Sequence, residues 1–517
     1  MTKKSESLAR AAISVTLIIL FSKAVGFVRE MIMAAYFGAD AATDAYNSAY
    51  SLFYLPVLLF SSCITSTFVP QYTRCQSEIG QRGADGFCSN SLNMFCVIAL
   101  CVSAAMFVLA RPLVGLIYPG FEGDKLALTV RLSRVMFPAL VFFVAGLVLS
   151  SLLNAREKYV AAQLTGLPLS FAEIGAAIFF SEKYGISAQA WGVILAGALQ
   201  IVILLPFLKN NFKYSLCLDF MDKYLKRLAY LALPAMLSMA VNELNHMVDR
   251  MLASGLNDGD ITAMTYAFKL IMFMMGVLVV PLTTISFSKM SRMAVKNDPK
   301  AVIPFIRESL GLLISVMLPL VIVCACQAKH IIRFAYGRGV FSETNVLVTS
   351  GVFMFYVIGV PFFGVRDALN RVYHSFEDTK TPMLVAAISM GFNIALNLIL
   401  RKIMGVNGLA LATGIAALIG VILLIRGLNK KVSGVFDRAY VLKLVRLTLA
   451  NVPVALVSLL LCRINQSYGT LYVFLRLAWV TIAALCVYMI SILIIGGRDE
   501  FKRIIGFVTP LLKKLKR

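Results

Sequence analysis

A chain of 517 residues that is 59% apolar and only 15% charged, with a mean hydropathy of +0.83, lies far from the roughly 25% charged composition of soluble domains. That all but excludes a water-soluble enzyme, and its 34 glycines and 16 prolines exclude a collagen-like or disordered chain. A formal net charge of +23 raises nucleic acid as a partner, but no basic block is interleaved with aromatics on a soluble module, so no nucleic-acid partner is expected. The composition reads as an all-α polytopic membrane protein.

In chain order, the apolar runs predict about fourteen transmembrane helices, each near the ~20 residues that cross a hydrocarbon core. Six fall near 11–35, 45–71, 90–112, 131–154, 160–181 and 187–208. Six more fall near 229–254, 262–288, 303–326, 347–371, 382–401 and 406–426, and two near 441–462 and 471–495. The first run imitates a secretory signal, with Lys3, Lys4 and Arg10 ahead of Ala11–Phe21, but it continues through Lys23 and Arg29 and reads as a retained span. The ten cysteines form no CxxC and read as small apolar residues, not a disulfide framework.

The loops sort by charge. Arg74, Arg82, Arg156, Lys158, Lys209, Lys213, Lys223, Lys226 and Arg227 are among the larger set, and Lys125, Lys183, Lys329, Arg333, Arg338, Arg401, Lys402 and Arg463 form a sparser opposite set. The positive-inside rule places both termini in the cytoplasm, in keeping with an even number of spans. After Gly497, Ile504, Val508, Leu511 and Leu515 form one helical stripe among basic residues. This reads either as a short helix on the inner leaflet, a reading weakened by Pro510, or as a solvated basic tail.

Ala45-x-x-x-Ala49-Tyr50-x-Leu52 recurs as Ala263-x-x-x-Ala267-Phe268-x-Leu270, and Gly192–Gly197 resembles Leu409–Gly414 at a similar offset. An even shift of six helices makes the halves parallel repeats, an arrangement that suits alternating access around a central cavity. The expected organisation is an N-lobe over 1–208 (spans 1–6), a cytoplasmic linker with an amphipathic segment over 209–228, and a C-lobe over 229–427 (spans 7–12). Spans 13 and 14 follow over 441–496, and a basic cytoplasmic tail over 497–517.

Ionisable groups at bilayer depth are costly and usually face a bundle interior or water. Span 1 carries Lys23, Arg29 and Glu30. At about 100° per residue, Lys23 and Arg29 stand roughly 120° apart, able to share a wide cavity but not a narrow stripe. Arg29 could instead snorkel to the outer interface, and Glu30 could be exposed or paired locally. Thr43-Asp44 reads as a helix N-cap ahead of span 2. Lys269, among apolar neighbours in span 8, reads as an inward-facing charge. Asn242, His246 and Asp249 share a face of span 7, Asn393 and Asn397 a face of span 11, and Thr413 lies in span 12. Such oxygen-rich groups suit a hard cation or serve as interhelical hydrogen-bonded glue. Walker A, HExxH and dinucleotide motifs are lacking, so an ion gradient or the membrane potential is the expected energy source.

The run Ser22–Glu30, followed by Phe37-Gly38-Ala39 and Thr43-Asp44-Ala45, resembles the start of the MurJ/MviN proteins, the lipid II flippases of the MOP exporter superfamily. Phe68-Val69-Pro70, Tyr336–Phe341 and Asp378-Thr379-Lys380-Thr381-Pro382 fit the same family, and the resemblance covers nearly the whole chain. It implies transport of undecaprenyl-diphosphate-linked MurNAc-pentapeptide-GlcNAc (lipid II) from the inner to the outer leaflet of the bacterial cytoplasmic membrane. It also implies substrate contacts at Lys23, Arg29 and Lys269, with Asp44 matching the acidic residue after helix 1. The family's helix 2 arginine has no counterpart in Pro56–Ser61, and lysine stands at two arginine positions. Lysine binds phosphate as a point charge without the bidentate fork. Some members bind sodium, for which Asp249, Asn393, Asn397 and Thr413 are the matching residues. No other cofactor is expected, and the partners are lipid II and membrane lipid around a monomer. Rival readings are another MOP transporter, carrying an oligosaccharide-lipid or exchanging a drug for a cation, and a non-transporting membrane scaffold.

Overall fold

A computed structural model describes residues 3–209, 212–276, 303–432, 434–461, 470–496 and 501. The second half of predicted span 8 and the basic tail, apart from residue 501, lie outside the described residues. Those that are described form helices and connecting turns, with no strand among them. Among the described residues, nine helices are long and apolar enough to cross a membrane, or ten if one bent pair counts as a span. The chain is a multi-pass α-helical membrane protein, as its composition predicts. Its contacts divide it into two units, Met1–Thr262 with Arg338–Phe341, and Ala263–Gly337 with Ser342–Arg517.

In the first unit, α1 covers Lys3–Phe37 and α2 Ala41–Val108. A positive-φ glycine, Gly38, ends α1. Asp40 then caps α2: its carboxylate accepts from the Thr43 N–H (2.9 Å) and the Thr43 hydroxyl accepts from the Asp40 N–H (2.9 Å). This is a reciprocal capping pair, and it corrects the reading of Thr43-Asp44 as the cap. Predicted spans 2 and 3 both lie in α2, separated by Gly80, whose φ of 76° breaks the helical path. Next come α3 (Ala110–Ile117), α4 (Gly123–Met136) and α5 (Ala139–Ala155). The last two bend by 41° at the Phe137-Pro138 junction, because proline cannot donate to the preceding turn. The unit continues with α6 (Tyr159–Gln163), α7 (Leu167–Tyr184), α8 (Ser187–Leu208) and α9 (Lys223–Ala253).

The linker before α9 has no regular secondary structure over residues 212–219 and is tied to α2. Asn90 both donates to the Asp219 carbonyl (2.9 Å) and accepts from its N–H (2.8 Å), Asn93 donates to the Cys217 carbonyl (2.8 Å), and Ser89 accepts from the Ser215 N–H (3.2 Å). Side chains thereby satisfy backbone groups that a helix would have satisfied internally.

A tenth helix, α10, is described over residues 260–276. The second unit then builds α11 (Ile303–Cys326), α12 (Ala328–Tyr336), α13 (Glu343–Ser375), α14 (Lys380–Met404) and α15 (Val406–Lys431). It ends with α16 (Arg438–Leu449), α17 (Val452–Leu460) and α18 (Thr470–Ser491). Helices α13 and α15 cross where Gly359 meets Gly414; a Cβ on Gly359 would sit 2.9 Å from the Gly414 Cα. Small residues let helix backbones approach where lipid offers no hydrophobic drive to pack. Val323 on α11 is buried with Leu447, Val454, Ala484, Tyr488 and Ile492, which seats the last two predicted spans on this unit.

The repeat is visible in the backbone. Among the described residues, Glu157 and Glu377 are the non-glycine residues with positive φ (60° and 58°), each just past a helix end, and Gly185 (56°) and Gly405 (57°) follow the same spacing. Glu157 N–H bonds the Asn154 carbonyl and Lys158 N–H that of Leu153; in the second unit Glu377 bonds His374 and Asp378 bonds Tyr373. Two copies of one helix-ending turn, each with a costly left-handed residue, mark a duplicated plan.

Candidate functional site

In the first unit Arg29 stands near the end of α1, and its guanidinium is held by two carboxylates. It reaches Glu30 Oε1 at 2.5 Å and Glu173 Oε2, on α7, at 3.2 Å. The Tyr46 hydroxyl on α2 donates to the other oxygen of Glu173 (2.8 Å). Glu30 and Glu173 are only 6% and 4% exposed. A charge so buried is tolerable when paired and hydrogen-bonded, and here three helices supply the partners. Tyr46, Tyr50 and Tyr54 stack along α2 beside this cluster, with ring centroids 6.1 and 5.6 Å apart. Glu30 is thus buried and paired with its neighbour. Lys23, earlier on α1, is exposed.

Asp44 is fully buried and accepts four hydrogen bonds. One oxygen takes the Thr262 N–H (2.8 Å) and hydroxyl (2.7 Å); the other takes the Gly259 N–H (2.8 Å) and Lys125 Nζ (2.9 Å). A carboxylate from the first turn of α2 therefore caps the first turn of α10, where unsatisfied N–H groups favour negative charge. Lys125 also pairs with Asp258 (2.7 Å), and Asn47 donates to Thr262 (3.1 Å). Asp260 accepts from the Asn257 N–H (3.1 Å), and burial pushes its carboxyl up to about 6. The same α10 carries Lys269, which is half-buried.

In the second unit the residues proposed for a cation are hydrogen-bonded to one another. Asn397 donates to Asn393 Oδ1 (3.0 Å), Asn393 donates to Thr413 Oγ1 (3.3 Å), and Thr413 donates to the Leu409 carbonyl (3.0 Å). All three are buried. Asp249 is buried on α9 of the first unit. The oxygen chemistry suits a hard cation, and in this arrangement the Asn393 and Thr413 oxygens accept N–H bonds, the second of them between α14 and α15. Among the described residues no three His, Cys, Asp or Glu side chains are grouped to hold a metal.

The sequence reading missed Glu173 and the ligands of Asp44. Glu173 had a signal, an acidic residue within the apolar run of predicted span 5, which at that depth calls for a cation. Gly259 and Thr262 had none, because each is joined to Asp44 across more than two hundred residues.

This fold and these buried polar networks define a class: multi-pass helical membrane proteins with an internally duplicated plan. The sequence profile of the lipid II flippase MurJ family matches residues 33–482, so the chain belongs to that family. A probable lipid II flippase MurJ of Rhizobium tropici is 29% identical over 424 residues, 79% of each chain. A solved structure of lipid II flippase MurJ in an inward closed conformation superposes with a TM-score of 0.77 at 26% identity, covering 93% of this chain and 98% of that one. An inward-facing multidrug resistance MATE transporter of the MOP superfamily superposes at 0.70 with 11% identity, a likeness of fold alone.

Proposed function

We propose that this chain carries lipid II from the inner to the outer leaflet of the bacterial cytoplasmic membrane by alternating access, as a monomer with both termini cytoplasmic. The family match over 33–482 carries the reading. A diphosphate headgroup crosses hydrocarbon only at a heavy cost in desolvation, so a carrier must offer it fixed positive charge. Lys23, Arg29 and Lys269 supply that charge. Arg29 has a second role, because Glu30 and Glu173 hold its guanidinium. An incoming diphosphate competes with these carboxylates, and a shift in their pairing couples substrate arrival to movement of α1 against α7. Asp44 acts on the same cycle indirectly, by fixing the start of the helix that bears Lys269. Sodium, with Asp249, Asn393, Asn397 and Thr413 as its ligands, would supply the coupling energy that resets the carrier.

The test is complementation in a bacterium depleted of its own lipid II flippase. The wild-type chain rescues growth, and Arg29→Ala fails to do so when its membrane abundance is matched to that of the wild type. Absence of rescue by the wild type overturns the assigned substrate. Full rescue by the Lys23→Ala, Arg29→Ala, Lys269→Ala triple variant overturns the assigned residues. Sodium-independent transport by the wild type removes the coupling ion.

A further inference from the structure

The first unit holds a second cationic feature, distant in sequence from Lys23 and Arg29. Arg111 on α3 and Arg131 and Arg134 on α4 line a cavity of about 820 Å³, together with Phe107 on α2 and Trp191 and Ile194 on α8. That volume falls within the roughly 300–1,000 Å³ of small-molecule sites.

Two of the guanidiniums are oriented by groups that leave their charge intact. Arg131 donates to the Ser187 hydroxyl (3.1 Å). Arg134 donates to the Phe107 carbonyl (3.3 Å) and lies 5.6 Å from the centre of its ring. A guanidinium has more N–H donors than these single bonds use. None of the three arginines forms an ion pair among the described residues. This contrasts with Arg29, Arg156, Arg307 and Arg333, each of which has a carboxylate within ion-pair distance.

The location adds a second argument. On the proposed orientation, Arg111, Arg131 and Ser187 all fall at the outer ends of their spans. The positive-inside rule disfavours positive charge there, and all three arginines are exposed, so their unused donors are open to an anion at the membrane surface. Trp191 is 61% exposed and Phe107 45% exposed. Aromatic side chains of this kind are placed at the interface, where the headgroups of lipids meet their chains. Arginine matches phosphate with a planar bidentate fork, and basic pockets between spans are suited to anionic headgroups.

We infer that this cavity binds the phosphate of an anionic membrane lipid, with Arg111, Arg131 and Arg134 on the headgroup and Phe107, Trp191 and Ile194 along the start of its chain. The phosphate has two sources with the same chemistry, a phospholipid such as phosphatidylglycerol or a polyprenyl diphosphate. The inference takes only the orientation from the proposed function, and its readout is lipid retention, which a failure of complementation leaves untouched.

Native mass spectrometry of the full chain released from micelles tests it. The probes, added separately, are phosphatidylglycerol, undecaprenyl diphosphate and zwitterionic phosphatidylcholine. The wild type is expected to retain an anionic lipid, and the Arg111→Gln, Arg131→Gln, Arg134→Gln variant to retain it at least about tenfold more weakly. Whichever of the two anionic lipids shows that loss is the source. Arg131→Gln alone, a milder change should the triple variant fail to fold, is expected to weaken retention by about threefold or more. Equal retention of both anionic lipids by wild type and variant overturns the inference, as does retention of phosphatidylcholine as strong as that of the better-retained anionic lipid.

Discussion

Glu173 in the first unit and Asn393 in the second hold the same place in the duplicated plan. Each lies on a helix that follows the Glu157 or Glu377 turn, twelve residues before the positive-φ glycine that ends it, Gly185 or Gly405. Both are buried, yet their company differs. Glu173 holds a guanidinium from α1 and a tyrosine hydroxyl from α2, while Asn393 exchanges neutral hydrogen bonds with Asn397 and Thr413. Duplication preserved the need for a polar group at this register, and divergence decided its charge. The charged version stores strong and exchangeable interactions, because a buried carboxylate must have a cation and a competing anion can take that cation away. The neutral version carries no charge of its own, so removing one amide takes away hydrogen bonds and not an ion.

Breaking the charged side should have the largest effect. Arg29→Ala leaves Glu30 and Glu173 buried without their guanidinium, and a destabilisation of about 3–5 kcal/mol is expected, read as a lower melting temperature of the detergent-solubilised protein. Asp44→Asn comes next. It keeps an oxygen for Thr262 but loses the charge facing Lys125 and the start of α10, for about 1–3 kcal/mol in the same assay. Asn393→Ala should cost only about 0.5–1.5 kcal/mol. A loss as large as that of Arg29→Ala would erase the contrast between the two networks.

Two pH effects sharpen the comparison. Burial raises Asp260 from its ordinary value near ~3.9 to about 6. The folded state favours its neutral form, so its contribution is complete below the ordinary value and is lost as pH rises through about 6. Asp260→Asn should therefore gain melting temperature over the wild type across that window and match it at lower pH. The smallest effect belongs to Asp378, beside the second turn. Hydrogen bonds from Lys431 and Thr381 hold its carboxyl well below the usual range. Its contribution is present above about 3.9 and is lost as pH falls through the lower folded value, the opposite sign. Asp378→Asn should slightly lower the melting temperature near neutrality and lose that difference from the wild type as pH falls below ~4.

Much of the fold was legible in order along the chain, because lipid forces backbone groups to bond within helices and apolar runs of sufficient length announce themselves. Where the reading slipped, the cause was local. Predicted span 4 was split and bent at Pro138, and the capping role assigned to Asp44 belongs to Asp40. The polar residues were legible as types but not as partners. Arg29 was legible as a charge within a span, and Glu173 carried the same signal without being read, yet nothing in their spacing joins them.

The sequence by itself determined a duplicated, multi-pass helical chain with cations placed at bilayer depth, since hydropathy and turn chemistry act over neighbouring residues. Only the tertiary structure decided that Glu173 takes Arg29, that Asp44 caps a helix more than two hundred residues away, and that three arginines share one hollow. Those outcomes depend on which helix faces meet, and the energy of a buried charge is set by the groups around it and not by its place in the chain.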